Sequence, residues 1–153
     1  YIEGRLKFSP FIKDAMVIGN DKHFVTALLN MDFENTGRWA ERNHIAYTSH
    51  PDLSQKEQVR KLLAGILQRI NTTLPETTRV KRFIVLHKDF DPDEAELTRT
   101  RKLRRDFVEK RYENIVNAMY QGDNQVDIET TITYRDGRKS VMRLPIYIET
   151  IQG

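Results

Sequence analysis

Apolar positions along this chain repeat with two different periods, and the change of period marks out its elements. Over residues 55–74, Val59, Leu62, Leu63, Ile66, Ile70 and Leu74 recur at spacings of three and four, which puts them on one stripe of a helix. Glu57 follows Ser54 by three residues, so Ser54 (or Asp52 before it) is expected to cap this helix in a capping box, and Pro75 to close it. A second run over residues 105–120 carries Val108, Tyr112, Ile115 and Met119 on one face and predicts one continuous helix. Residues 33–42 predict a short helix with Trp39 and Phe33 in the core. Ile2 and Leu6 read as the tail of a helix that Pro10 prevents from continuing.

The remaining apolar runs have strand character. Residues 15–18 and 24–31 flank Gly19-Asn20-Asp21, whose turn chemistry predicts a hairpin. Residues 80–87 form a short β-branched run suited to a buried strand. Near the end, Val126, Ile128, Thr130, Ile132 and Tyr134 alternate with polar residues, as do Met142, Leu144, Ile146 and Ile148. Asp136-Gly137 between them predicts a closing β-hairpin, and Pro145 favours an edge position for its second strand. Gly122-Asp123-Asn124 is the expected boundary, giving a domain over residues 1–121 and a hairpin extension over 122–153 packed on it. The fold class read from this pattern is α+β: a small sheet flanked by helices, plus a C-terminal β-hairpin.

Composition narrows the class. With 153 residues, 39% of them apolar and 31% charged, the chain suits one globular domain with a modest core. A net charge of +3 is too small to point to nucleic acid by itself. The lack of cysteine excludes a disulfide framework and a thiolate metal site, and fits a cytoplasmic location. No apolar run approaches the roughly 20 residues that span a bilayer. The start, Tyr1 to Arg5, has neither a signal-peptide pattern nor an initiator Met, so a fragment is expected. Ile2-Glu3-Gly4-Arg5 also reads as a protease-cleavage scar, but the residues after it continue the helical pattern.

Candidate chemistry concentrates in one loop. Asp89, Asp91, Asp93, Glu94 and Glu96 form an acidic block, and Arg99, Arg101, Lys102, Arg104 and Arg105 a basic block, with Leu97-Thr98 between. The acids begin with calcium-loop spacing, but Glu94 stands where such a loop needs Gly and Thr100 where it needs Glu. No metal is expected, and the plain reading is a solvated loop whose acids offset the adjacent bases. The basic block can neutralise phosphates, but no aromatic residue interleaves to stack on bases. A helix starting near Arg104 would turn its positive end toward this loop. On the residues alone a solvated face, a nucleotide or phosphate contact and a nucleic-acid contact all stay open. His23, His44, His50 and His87 are scattered without metal spacing and read as surface or strand-capping residues. Ser9, Ser49 and Ser54 have no nucleophile-elbow context, and no Gly-rich phosphate loop occurs, so there is no self-contained ATP site.

The stretch Leu97-Thr98-Arg99-Thr100-Arg101-Lys102-Leu103-Arg104-Arg105 resembles the terminal lysine motif of adenylate-forming enzymes, in the Leu-Thr-Arg-Thr-x-Lys form of long-chain fatty acid–CoA ligases. Ile2-Glu3, Leu6, Ser9-Pro10-Phe11-Ile12 and Ala15-Met16-Val17-Ile18-Gly19 look like the segment after that family's interdomain hinge. Phe33-Glu34-Asn35, Trp39-Ala40 and Asp52-Leu53-Ser54 also resemble the long-chain branch, so the likeness runs over roughly residues 1–120. The closing hairpin looks like an extension found in some members. Two departures stand out: Arg101 replaces the usual Gly before the lysine, and Glu96-Leu97 the usual Pro-Lys.

The resemblance implies a mobile C-terminal lid whose partner is a large N-terminal adenylation domain of the same polypeptide, absent from this chain. The hinge residue would lie just upstream of Tyr1. The full-length enzyme would use ATP, Mg2+ and coenzyme A to activate a fatty acid through an acyl-adenylate. Lys102 would be the catalytic lysine of adenylation, with Arg99, Arg101, Arg104 and Arg105 contacting phosphates or orienting the loop. The fragment itself would bind no cofactor and be inactive alone. It would be cytoplasmic and would bind no nucleic acid, with peripheral membrane contact an option for the full-length protein. Two rival readings are a basic binding module for RNA or an anionic surface, and a structural domain docking through the hairpin edge.

Overall fold

A computed structural model describes residues 1–134 and 136–152. Among the described residues, six α-helices and five strands follow in the order α1 (Ile2–Leu6), β1 (Ile12–Ile18), β2 (Val25–Met31), α2 (Phe33–Arg42), α3 (His50–Ser54), α4 (Glu57–Asn71), β3 (Val80–Val85), α5 (Arg105–Arg111), α6 (Glu113–Gln121), β4 (Gln125–Thr133) and β5 (Lys139–Thr150). The strands form one mixed sheet in the order β1-β2-β3-β5-β4. β2 and β3 run parallel; every other neighbouring pair is antiparallel. The α+β class read from the pattern is the class observed. Among the described residues no helix is long and apolar enough to cross a membrane.

Alternation within each strand supplies two cores, one on each face of the sheet. Ala27, Leu29 and Met31 of β2, with Phe83 and Val85 of β3, pack with Leu6, Ala40, Leu53 and the α4 stripe of Val59, Leu63, Ile66 and Leu67. Leu28 and Ile84 point the other way, onto Val108 of α5 and Ile115, Val116 and Met119 of α6. A central strand covered by helices on both faces reads as a nearly continuous apolar run, here Ala27-Leu28-Leu29, and the buried Thr26 and Asn30 on either side are hydrogen-bonded to Tyr120 and to Lys88 and Phe90. Leu28, Leu63 and Phe83 are fully buried. Truncating any of them to Ala removes about 2–5 kcal/mol of stability.

Two expected helices begin or break elsewhere, and each time a tertiary hydrogen bond is responsible. The capping box at Ser54 does not form. α4 starts at Glu57 behind Lys56, whose side chain caps nothing, while Ser49 caps the separate helix α3 by accepting from the Asp52 amide at 3.1 Å. Ser54 Oγ instead donates to the Pro51 carbonyl. Gln55, expected in the helix, is drawn out to bridge two strands. Its amide donates to Val85 O at 2.6 Å and accepts from the Tyr147 amide at 3.0 Å, where the short β3–β5 ladder ends. The run expected as one helix over 105–120 is broken at Tyr112, whose phenol reaches a buried carboxylate described below.

The closing hairpin turns at Asp136-Gly137 as expected, with Gly137 at φ 90° and the Asp136 carboxylate accepting from the Arg138 amide at 3.0 Å. Its inner residues join the sheet: Ile146 and Ile148 lie in the same core as α6. β4, not the Pro145-bearing β5, is the edge strand, which corrects the expectation. Pro145 is accommodated because β5 pairs with β3 only from Ile148 onward, and at Pro145 it pairs only with β4, opposite Asp127.

Candidate functional site

The acidic and basic blocks fold together into a second, much shorter hairpin. Leu97 and Leu103 form an isolated antiparallel bridge, and the Thr98 amide donates to Lys102 O at 2.8 Å. A tight turn over residues 98–101 closes it, with the Arg101 amide donating to Thr98 O at 2.9 Å. Thr98 Oγ1 also accepts from the Lys102 amide at 3.0 Å, so the residue that starts the turn fixes the backbone of the lysine that ends it. Arg101 sits at φ 63°, the left-handed region where glycine is at ease and other residues are strained. The backbone shape that a Gly before the lysine would favour is therefore kept without the Gly.

The five cations divide into two groups. Arg99, Arg101 and Lys102 are exposed at the tip, and their side chains make no ion pair or hydrogen bond with another described residue. Arg104 and Arg105 lie at the base and are engaged. Arg104 donates to Ala95 O at 3.1 Å and lies over the Phe107 ring. Arg105 donates to Glu3 Oε2 and to Val17 O, both at 2.6 Å, tying the start of α5 to α1 and β1.

The acidic block is not the solvated stretch expected of it. Asp89 pairs with Lys13 at 2.9 Å, and Glu94 pairs with Lys88 and Arg111. Glu96 is fully buried. Its Oε1 accepts from Lys88 Nζ at 2.5 Å and from the Asp91 amide at 3.0 Å; its Oε2 accepts from the Tyr112 hydroxyl and lies 3.3 Å from Arg111 Nε. Burial, then the bond to Glu96, pushes the Tyr112 phenol well above its ordinary range, so it stays a donor. Its backbone is pinned as well: the Glu96 amide donates to Asp91 O and its carbonyl accepts from Arg104, each at 3.0 Å. Sequence reasoning missed this residue, although Ala95 and Leu97 flank it with apolar neighbours that an all-solvent loop does not need.

The histidines also divide. His23 and His44 are exposed, as expected. His87 is buried, against the surface reading, with Nδ1 unpartnered among the described residues, and burial, then Lys88, lowers its pKa to about 4. His50 stacks on Phe33 with ring centroids 4.8 Å apart. Among the described residues no group of three or more His, Asp or Glu has the geometry to hold a metal.

A short basic hairpin standing on a buried carboxylate is compatible with several chemistries, and comparison with known proteins decides between families. The AMP-binding enzyme C-terminal domain matches residues 1–124, which takes in the whole hairpin. The chain belongs to that family. Relatives of this AMP-binding C-terminal domain include the long-chain-fatty-acid–CoA ligase FadD15 of Mycobacterium tuberculosis, 29% identical over 120 residues that are 78% of this chain and 20% of the relative. The long-chain-fatty-acid–CoA ligase ACSBG1 of Bos taurus is 26% identical over 129 residues, 73% of this chain and 18% of that protein. The chain thus spans about a fifth of the length of these relatives. Among solved structures, the adenylation domain of the carboxylate reductase from Mycobacterium chelonae superposes with a TM-score of 0.61 at 21% identity, over 78% of this chain and 17% of that one. The adenylation and carrier-protein didomain of the carboxylic acid reductase from Segniliparus rugosus, solved with AMP, also gives 0.61, at 20% identity over 79% of this chain and 15% of its own. At that identity the two structures share the fold with this domain.

Proposed function

We propose that this domain is the mobile lid of an AMP-forming long-chain fatty acid–CoA ligase and that Lys102 is its adenylation lysine. The observation that carries the reading is the geometry of Lys102: an exposed ammonium, unpaired among the described residues, at the tip of a hairpin whose turn holds the lysine's own amide. Attack of a carboxylate on the α-phosphate of ATP brings anions together, and a compact ammonium can touch both. A charge delivered on a lid stabilises the transition state when the lid is closed and leaves when it opens. Arg99 and Arg101 are free to meet phosphates in the same pose, whereas Arg104 and Arg105 support the hairpin base. ATP with Mg2+, the fatty acid and coenzyme A would meet this domain at its interface with a large N-terminal domain of the same polypeptide, and the isolated domain would be inactive. The names of the ligase relatives support the fatty-acid substrate.

The test separates the two half-reactions in the full-length protein. Lys102→Ala is expected to slow acyl-adenylate formation about a hundredfold or more. Transfer of a pre-made acyl-adenylate to coenzyme A should be largely spared. Lys102→Arg should rescue incompletely, because a planar fork does not replace a point ammonium. Equal loss in both half-reactions, or an unchanged adenylation rate, would remove Lys102 from the chemistry.

A further inference from the structure

Of the residues around the hairpin, the one with the most bonds never reaches solvent. Glu96 is fully buried and lies immediately before the Leu97–Leu103 bridge that opens the hairpin. Both carboxylate oxygens and both backbone groups are engaged, and the partners come from four places. Lys88 follows β3, Asp91 sits in the loop, Arg111 and Tyr112 stand at the α5–α6 break, and Arg104 opens α5. We infer that Glu96 is a positioning residue for the adenylation step: its buried carboxylate fixes the angle at which the hairpin presents Lys102. This rests on the reading of Lys102 given above.

Three physical points carry the inference. A buried carboxylate is a poor way to gain stability, since a well-packed apolar residue of similar volume does as well or better once desolvation is counted. What such a group supplies is direction, because its acceptors accept only from donors at set positions. The other restraints sit on the hairpin's own turn or at its base, where Leu97 is buried and Arg104 and Arg105 bond Ala95, Glu3 and Val17, while the tip is exposed. The path from carboxylate to lysine is also short and continuous. The Glu96 carbonyl holds the Arg104 amide, Leu97 pairs with Leu103, and Thr98 holds the amide and carbonyl of Lys102. The helix break at Tyr112 belongs to the same device, since it falls at the residue whose phenol reaches Glu96 Oε2. A positioned charge loses its effect steeply with displacement, and a shift of about 1 Å can cost up to about a hundredfold in rate.

The experiment uses the full-length protein and three variants: Glu96→Gln, Tyr112→Phe and, as reference, Lys102→Ala. Glu96→Gln keeps the shape and one acceptor but removes the buried charge between Lys88 and Arg111, leaving Glu94 as the acid that pairs with both. It is expected to lower kcat of acyl-adenylate formation about tenfold. KM for ATP and fatty acid, and the rate of thioester formation from a pre-made acyl-adenylate, should stay within about twofold. Tyr112→Phe removes one hydroxyl, is the gentler change for folding, and should show the same asymmetry at about threefold. Loss confined to adenylation in both variants supports the inference, because a fold-wide defect would lower both half-reactions together. Equal loss in the two half-reactions, or no loss in either variant while Lys102→Ala is impaired, would reduce Glu96 to a structural residue. If Lys102→Ala itself shows no asymmetry, the reading of Lys102 falls and this inference with it.

Discussion

Two hairpins leave the same domain, and they are held by different means. The long one, β4 and β5, turns at a glycine and is fastened by an apolar stripe that continues the sheet, with Ile146 fully buried and Ile148 nearly so. The short one, residues 97–103, turns at a strained arginine and stands on a buried carboxylate with two cations and a phenol around it. Apolar burial is non-directional and tolerates small shifts, so it suits an element that has only to stay attached. A charge network fixes angles and fails when one member changes, so it suits an element that must present one side chain accurately. The contrast teaches where to look for function in this domain: at the hairpin held by the more demanding interaction.

The comparison can be broken at the long hairpin first. Ile146→Ala should cost about 2–5 kcal/mol in denaturant unfolding, through lost burial and the cavity left behind. Well below the melting temperature it should, on the proposed lid function, leave both half-reactions of the full-length protein unchanged. A selective loss of adenylation in this variant would show that the two hairpins are coupled rather than separate.

A smaller effect, at the root of the short hairpin, is a dependence on pH. His87 directly precedes Lys88, and its pKa is lowered from 6.5 to about 4, chiefly by burial. The native state keeps this ring neutral while the unfolded chain protonates it, so the unfolded state binds more protons between these values. Stability contributed by the neutral ring is complete above pH 6.5 and is lost as pH falls through that window toward 4. Unfolding midpoints of the parent and of His87→Leu, measured from pH 7 down to 4, should differ in slope, the parent being the steeper by a few kcal/mol in all. Parallel curves would mean that the ring is protonated, or solvated, in the folded state.

The smallest effects come from the turns themselves, where the two hairpins make opposite residue choices at left-handed backbone. Gly137 at φ 90° has open space around it, so Gly137→Ala should cost about 1 kcal/mol through backbone strain alone. Arg101 at φ 63° already bears that strain, so Arg101→Gly should gain a similar amount, about 1 kcal/mol. Thermal melts of the isolated domain read both. A loss on Arg101→Gly would show that the Arg101 side chain holds the turn through a contact worth more than the strain.

Much of this domain is legible along the chain. The apolar spacing located α2 at residues 33–42, and Asp136-Gly137 placed the long turn, because each depends on neighbours within a few residues. The cluster of cations was equally plain, since a run of charge needs no fold to be seen. What the pattern could not reveal are the points where a side chain bonds across the molecule. Gln55 leaves a helix it fits in order to span Val85 and Tyr147, and Ser54 gives up its capping role beside it. Tyr112 breaks a helix whose periodicity runs straight through it. Pro145 signals an edge strand, yet it sits in β5, which has β4 outside it.

The division has a physical cause. Periodicity, turn chemistry and composition are short-range properties, set by which residues a segment contains, and they determined most of the strands, the main helical stretches and the identity of the charged loop in this protein. Burial is a long-range property, set by which segments meet. Five acids in eight residues look alike in sequence, and only the packing of α5, α6 and the end of β3 around them placed Glu96 in the interior and left the others nearer the surface. The same packing bound Arg104 and Arg105 at the base and left Lys102 free at the tip, because charge pairing is decided by distance in space and not by distance along the chain.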